Sequence, residues 1–172
     1  MILKITKYGN PVLRKKSEKV EEINKEILEL LNNMVETMYD APGVGLAGPQ
    51  VGESKRLAVI DTEGVLKKVI NPEILEMSEE TDISEEGCLS IPGAYGNVER
   101  PNKINVKYQN EKGEEIIEEL EGMPARAFQH ETNHLDGILF VDKISPLKKR
   151  LISKKLMKLK KQTLKDLKKE SN

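Results

Sequence analysis

Gln129-His130-Glu131-Thr132-Asn133-His134 holds the only two histidines of the chain, four residues apart, with a glutamate beside the first. On an α-helix, positions i and i+4 lie on one face, so both imidazoles can reach a single cation if this stretch is helical. The motif therefore favours a helix through it and makes His130 and His134 candidate metal ligands. Glu131 stands beside them as the residue that would take a proton from water. The plainer alternative is a pair of solvated or core histidines.

The flanking sequence supports the helix. After Gly122-Met123-Pro124 a helical segment starts with proline near its first turn, reaches Leu135 and closes at Gly137. Ile23, Ile27, Leu30, Leu31, Met34, Val35 and Met38 share one face of a second amphipathic helix, predicted over Val20 to Tyr39 and stopped at Asp40-Ala41-Pro42-Gly43. Leu57 to Asp61 and Lys68 to Asn71 read as short strands around a turn at Glu63-Gly64. Ile104, Val106 and Tyr108 alternate, Asn110 to Gly113 supplies a turn, and Ile116 to Leu120 runs back as the second arm of a hairpin. The fold class expected is α+β, with antiparallel strands packed around a central helix that carries the histidine pair, plus an N-terminal helix and a C-terminal amphipathic helix.

Charge divides the chain. The net charge of −1 hides a segment from Lys143 onward that carries +10 and a remainder that carries −11. Within that basic segment Leu147, Leu151, Ile152, Leu156, Leu159, Leu164 and Leu167 recur at helical spacing, which predicts one long helix after Pro146. Residues 1–146 are thus read as a single catalytic domain, and 147–172 as a basic helix and tail docked on it. That helix is either a solvated face or a basic surface for RNA or anionic lipid, and without aromatics any RNA contact would be to phosphates. Only 3% of residues are aromatic, so the core must be aliphatic. One cysteine allows no internal disulfide, and no apolar run is long enough to span a bilayer. The expectation is a cytoplasmic protein without a membrane partner.

A catalytic site of this type uses three protein ligands and keeps one position for water. A histidine six residues after His134 would supply the third in one class of metallopeptidase, but Phe140 stands there; downstream of Gly137 the only acids are Asp142, Asp166 and Glu170. The remaining soft ligand is Cys88, in Glu85-Glu86-Gly87-Cys88-Leu89-Ser90. A thiolate with two imidazoles suits zinc or ferrous iron. A buried inert thiol is the competing reading of a lone cysteine. In Gly43-Val44-Gly45-Leu46-Ala47-Gly48-Pro49-Gln50, small residues allow a backbone to approach a ligand, and Gln50 can donate to a developing oxyanion. Taken alone, that segment is no more than a turn.

In order along the chain, the segments at 43–50, 86–90 and 129–135 resemble the three sequence motifs of the peptide deformylase family, and Tyr8-Gly9-Asn10-Pro11-Val12-Leu13-Arg14 is similar to that family's start. Two positions depart from the pattern. Gly48 stands where the family more often has Ala, and Asn133 where it more often has Asp, which removes a negative charge beside a ligand.

The resemblance implies metal-dependent hydrolysis of the N-formyl group from the initiator methionine of nascent polypeptides, releasing formate. It implies one divalent ion on Cys88, His130 and His134, ferrous iron before zinc, nickel or cobalt. Glu131 would move the proton, and Gln50 with the backbone N–H of Leu89 would hold the oxyanion. Val44 and Gly45 would pair with the peptide backbone, while Met123, Arg126 and Ala127, with Val44, would line the methionine pocket. It also implies a Glu86–Arg100 pair that fixes the cysteine loop, and a basic C-terminal helix that docks on ribosomal RNA. A general metallo-endopeptidase and a purely structural metal site are the two competing classes.

Overall fold

The computed structural model describes residues 1–171. Among them, the chain forms a five-stranded antiparallel sheet, a separate two-stranded sheet and four α-helices. The larger sheet contains β1 (Gly45–Ala47), β2 (Leu57–Thr62), β3 (Val65–Met77), β6 (Lys103–Gln109) and β7 (Glu115–Glu121), in that spatial order. The smaller pairs β4 (Thr81–Cys88) with β5 (Ile91–Pro101). Both arms of the hairpin read from Ile104 to Leu120 are present, with Ile104 opposite Leu120 and both buried.

Helix α1 (Lys25–Asp40) begins five residues later than the hydrophobic spacing suggests. Asn24 sets the start, because its side chain accepts the Ile27 amide at 3.0 Å and caps the first turn. Val20 is extended, with its amide bonded to Asn71 Oδ1 at 2.8 Å, yet it packs in the same cluster as Ile27, Leu31, Met34 and Met38. An extended lead-in thus mimicked one more helical turn. Asn71 bends β3 at a positive φ of 53° and returns a second bond to Val20 O at 2.9 Å.

Helix α2 (Met123–Leu135) carries the histidine motif. It is buried nearly all round rather than on one stripe, against the inner face of the large sheet through Ala125, Ala127, Phe128 and Leu135. Gly137 ends it with φ +76°, where a side chain would strike the Arg14 carbonyl at 2.6 Å.

The single long helix expected after Pro146 is two: α3 (Pro146–Leu151) and α4 (Ser153–Glu170), with Ile152 between them outside helical geometry. The leucine stripe divides accordingly. Leu156 is buried, and Ile152 and Leu159 pack beside it on Ile91, Ala94, Val98, Phe140, Val141 and Ile144, whereas Leu147 and Leu151 are 64% and 71% exposed. No helix among the described residues is long and apolar enough to cross a membrane.

Candidate metal centre

Helix α2 presents His130 and His134 on one side, and the end of β4 brings Cys88 to them. Cys88 Sγ lies 3.3 Å from His134 Nε2, and the ligand atoms of all three residues fall within 4.8 Å of one another. Two ligands of a tetrahedral ion at Zn–S and Zn–N lengths of about 2.3 and 2.0 Å sit roughly 3.5 Å apart, so this spacing suits one shared cation. His130 Nδ1 is 2.9 Å from Glu86 Oε1, which leaves Nε2 for the ion and fixes the ring. Phe140 stacks beside His130, with centroids 6.4 Å apart.

Electrostatics points the same way. Burial lowers the pKa of His134 well below its ordinary value, and the positive field of His130 adds to this, so it is a neutral ligand. Burial also opposes charge on His130, but Glu131, Cys88 and Glu86 outweigh it and raise the pKa to about 10. A position that holds a proton so firmly is one of negative potential, suited to a cation in the proton's place. Burial pushes Glu131 up to about 7, with Glu86 adding and His130 and Arg100 opposing. Glu131 Oε1 is buried without a hydrogen-bond partner among the described residues, as expected of a carboxylate at a site built around an ion and water. His134 Nδ1 is likewise unpartnered, on the other edge of the ring from the Nε2 that meets Cys88. The donor set, its spacing and the orphaned Glu131 oxygen fit a divalent metal.

Gln50 is fixed by its own turn: its Oε1 accepts the Ala47 amide at 3.0 Å, which aims Nε2 at Cys88 Sγ (3.4 Å) and Ser90 Oγ (3.2 Å). Gly45 passes close over Glu131, where a Cβ would stand 2.8 Å from its carboxyl carbon. Val44, Gly45, Leu89, Met123, Arg126 and Ala127 line one cavity of about 650 Å³ together with Gln50, Cys88, His130 and Glu131. Of the metal, catalytic and substrate-binding candidates read from the sequence, all line this cavity except His134, which is 1% exposed.

Arg126 lines the cavity with its guanidinium already committed to other groups. Its guanidinium donates to Glu86 Oε2 (2.6 Å), Val98 O (2.9 Å) and Asp82 O (2.8 Å). Glu86 also takes a two-pronged contact from Arg100 at 2.6 and 2.9 Å, so the pair is buried rather than a surface ion pair. Burial opposes charge on Glu86, yet the hydrogen bonds from Arg100 and His130 hold its carboxyl well below the usual range. Arg100 Nη1 donates onward to Asn133 Oδ1 at 2.7 Å. Sequence reasoning missed the Arg126 and His130 contacts of Glu86, as well as Ser90 and Lys7. Their partners are far apart in the chain and follow no periodic spacing.

One thiolate and two imidazoles converging on a point, with a buried carboxylate and an aimed amide donor on an open cavity, define a mononuclear metallo-hydrolase. The sequence pattern of the polypeptide deformylases matches residues 2–150. The chain belongs to the peptide deformylase family. A peptide deformylase of Fusobacterium nucleatum is 55% identical over 166 residues, covering 95% of each chain. The crystal structure of the Thermotoga maritima peptide deformylase superposes with a TM-score of 0.83 at 49% identity, over 85% of this chain and 99% of that one. A plant peptide deformylase superposes at 0.91 with 34% identity, over 95% and 92% of the two chains.

Proposed function

We propose that this site removes the formyl group with the residues in the following roles. As a member of its family, the chain is a hydrolase that releases formate from the N-formylmethionine of nascent polypeptides. The observation that carries the assignment of roles is the cluster of Cys88, His130 and His134 with Glu131 at the floor of the cavity. These three residues hold one divalent cation, ferrous iron before zinc, nickel or cobalt. When bound, the cation supplies Lewis-acid chemistry that turns water into a nucleophile near neutral pH.

Glu131 accepts the water proton and delivers it to the departing amine. Its 4% exposure keeps bulk water from competing for that proton. Gln50 Nε2 and the Leu89 amide hold the oxygen that becomes negative, and losing one such donor costs about a hundredfold or more in rate. Val44 and Gly45 pair with the substrate backbone. Met123, Ala127, Val44 and the stem of Arg126 surround the methionine side chain.

Residues 1–146 form the catalytic domain, and 147–172 dock on it through Leu156, with Asn172 outside the described residues. The outward lysines of α4 contact ribosomal RNA in the cytoplasm. Charge reversal at the exposed Lys158, Lys161 and Lys165 then weakens ribosome co-sedimentation at low salt, and unchanged sedimentation refutes the docking.

The deciding experiment measures formate release from formyl-Met peptides alongside metal content. Glu131→Gln keeps its metal and loses turnover, whereas Cys88→Ala and His134→Ala lose the metal itself. A Glu131→Gln enzyme turning over at the wild-type rate would sink the assigned mechanism.

A further inference from the structure

The cavity holds a cation that the hydrolytic chemistry leaves unused. Lys7 lies on the N-terminal segment, half-buried, and lines the same cavity as Gln50, Cys88 and Leu89. The segment is tied on both sides of the site. The Thr6 amide donates to Gln50 O at 2.7 Å and its hydroxyl to Pro49 O at 2.8 Å, while the Tyr8 amide donates to Ser90 O at 2.8 Å. The backbone of Lys7 is therefore fixed between the Gln50 turn and the cysteine loop.

An ammonium has three N–H donors, and Lys7 Nζ spends one, on Leu89 O at 3.2 Å. Among the described residues no carboxylate lies within 4.0 Å of it. Its situation differs from that of Arg126, the arginine at this cavity, whose guanidinium is occupied by Glu86, Val98 O and Asp82 O. Lys7 thus offers the cavity a point charge with two free donors on a held backbone.

Resting on the reading of this cavity as the peptide site, we propose that Lys7 is a specificity-determining residue, which takes the carboxylate of an acidic side chain among the substrate residues that follow the formyl-methionine. A neutral backbone carbonyl is a poorer match, because a bond between two ionised groups is roughly twice as strong as a neutral one. The contact is partly open to solvent, so salt weakens it. It contributes to holding the peptide rather than to the bond-breaking step, and its effect falls on KM.

The test uses metal-loaded enzyme and C-terminally amidated formyl-Met peptides in which Asp, Asn or Lys occupies the second, third or fourth position in turn. At one of these positions the wild type favours Asp over Asn by about three- to tenfold in kcat/KM, the difference lying in KM and shrinking at 0.5 M salt. Lys7→Met brings the Asp/Asn ratio to one, Lys7→Glu shifts the preference to Lys, and Lys7→Arg, which keeps the charge, retains it. Two results overturn the proposal: a wild type indifferent to Asp at all three positions, or an Asp/Asn ratio that survives Lys7→Met, as when the variant is slowed equally on both peptides. Formate release from none of the peptides would overturn the reading of the cavity itself, and Lys7 with it.

Discussion

Replacing Glu86 by Gln is the sharpest single perturbation of this structure. Each carboxylate oxygen accepts two bonds: Oε2 from Arg100 Nε and Arg126 Nη1, both at 2.6 Å, and Oε1 from Arg100 Nη2 at 2.9 Å and the His130 ring at 2.9 Å. Whichever way a glutamine amide is turned, its NH₂ faces two buried donors. Arg100 and Arg126 are 3% and 7% exposed and would lose their only charged partner among the described residues, so the cost is that of breaking a buried pair, about 3–5 kcal/mol. Against a total stability of about 5–15 kcal/mol this is a large share, and it lowers Tm by roughly 10 °C. His130 also loses the group that orients its ring, which weakens metal binding about 10- to 100-fold. The folded pKa of Glu86 is depressed, so its stabilising contribution is complete above the unfolded value near 4.5 and declines as pH falls below it. Urea denaturation of metal-loaded wild type and variant, from neutral pH down through the carboxylate range, and chelator competition for the metal measure both effects. A loss below about 1 kcal/mol with unchanged metal affinity would refute the reasoning.

Three further outcomes follow from the same geometry. Gly45→Ala has no φ penalty, since Gly45 is outside the left-handed region, but its methyl overlaps the Glu131 carboxylate; turnover of a formyl-Met peptide falls at least about tenfold with metal retained, and near-normal kinetics would show that Glu131 is free to move aside. Asn133→Asp places a carboxylate on Arg100 Nη1, where two arginines share one glutamate, and raises stability in urea by about 1 kcal/mol; a drop in the midpoint contradicts this balance. With iron bound, the enzyme loses activity in air as Cys88 oxidises, while a zinc-loaded sample keeps it; thiol titration and formate release in air and under anaerobic conditions distinguish the two, and equal lifetimes would refute iron-promoted oxidation of Cys88.

How much of this was legible in the sequence depended on the range of the interaction. The candidate ligand cluster was readable because two of its residues lie at helical spacing and the third is the only cysteine of the sequence. The hairpin around Asn110 to Gly113 was readable because alternation and turn chemistry are local. The paired strands β4 and β5 went unseen. In β4, exposed Thr81, Asp82, Ile83 and Glu85 precede buried Glu86, a pattern with no apolar alternation, since what this strand buries is a charge. The start of α1 was misplaced because Val20 fills the helical stripe from an extended segment. The break at Ile152 was equally silent, for neither Gly nor Pro marks it.

The burial of the histidine helix couples the site to the rest of the fold. A surface helix can alter its solvent face without disturbing its inner one, but α2 has almost no solvent face. Its non-ligand sides carry polar groups satisfied by fixed partners. Gln129 Nε2 donates to Pro101 O at 2.9 Å, Thr132 Oγ1 to Phe128 O at 2.8 Å, and Arg126 to the backbone of Asp82 and Val98. Each of these bonds joins the helix to β5 or β4, the hairpin that also carries Cys88, or tightens the helix itself. A shift of α2 relative to that hairpin would separate His130 and His134 from the cysteine and, at the same time, leave buried donors unpaired. The same contacts therefore hold the fold together and set the spacing of Cys88, His130 and His134, so the candidate ligand set is brought together by folding.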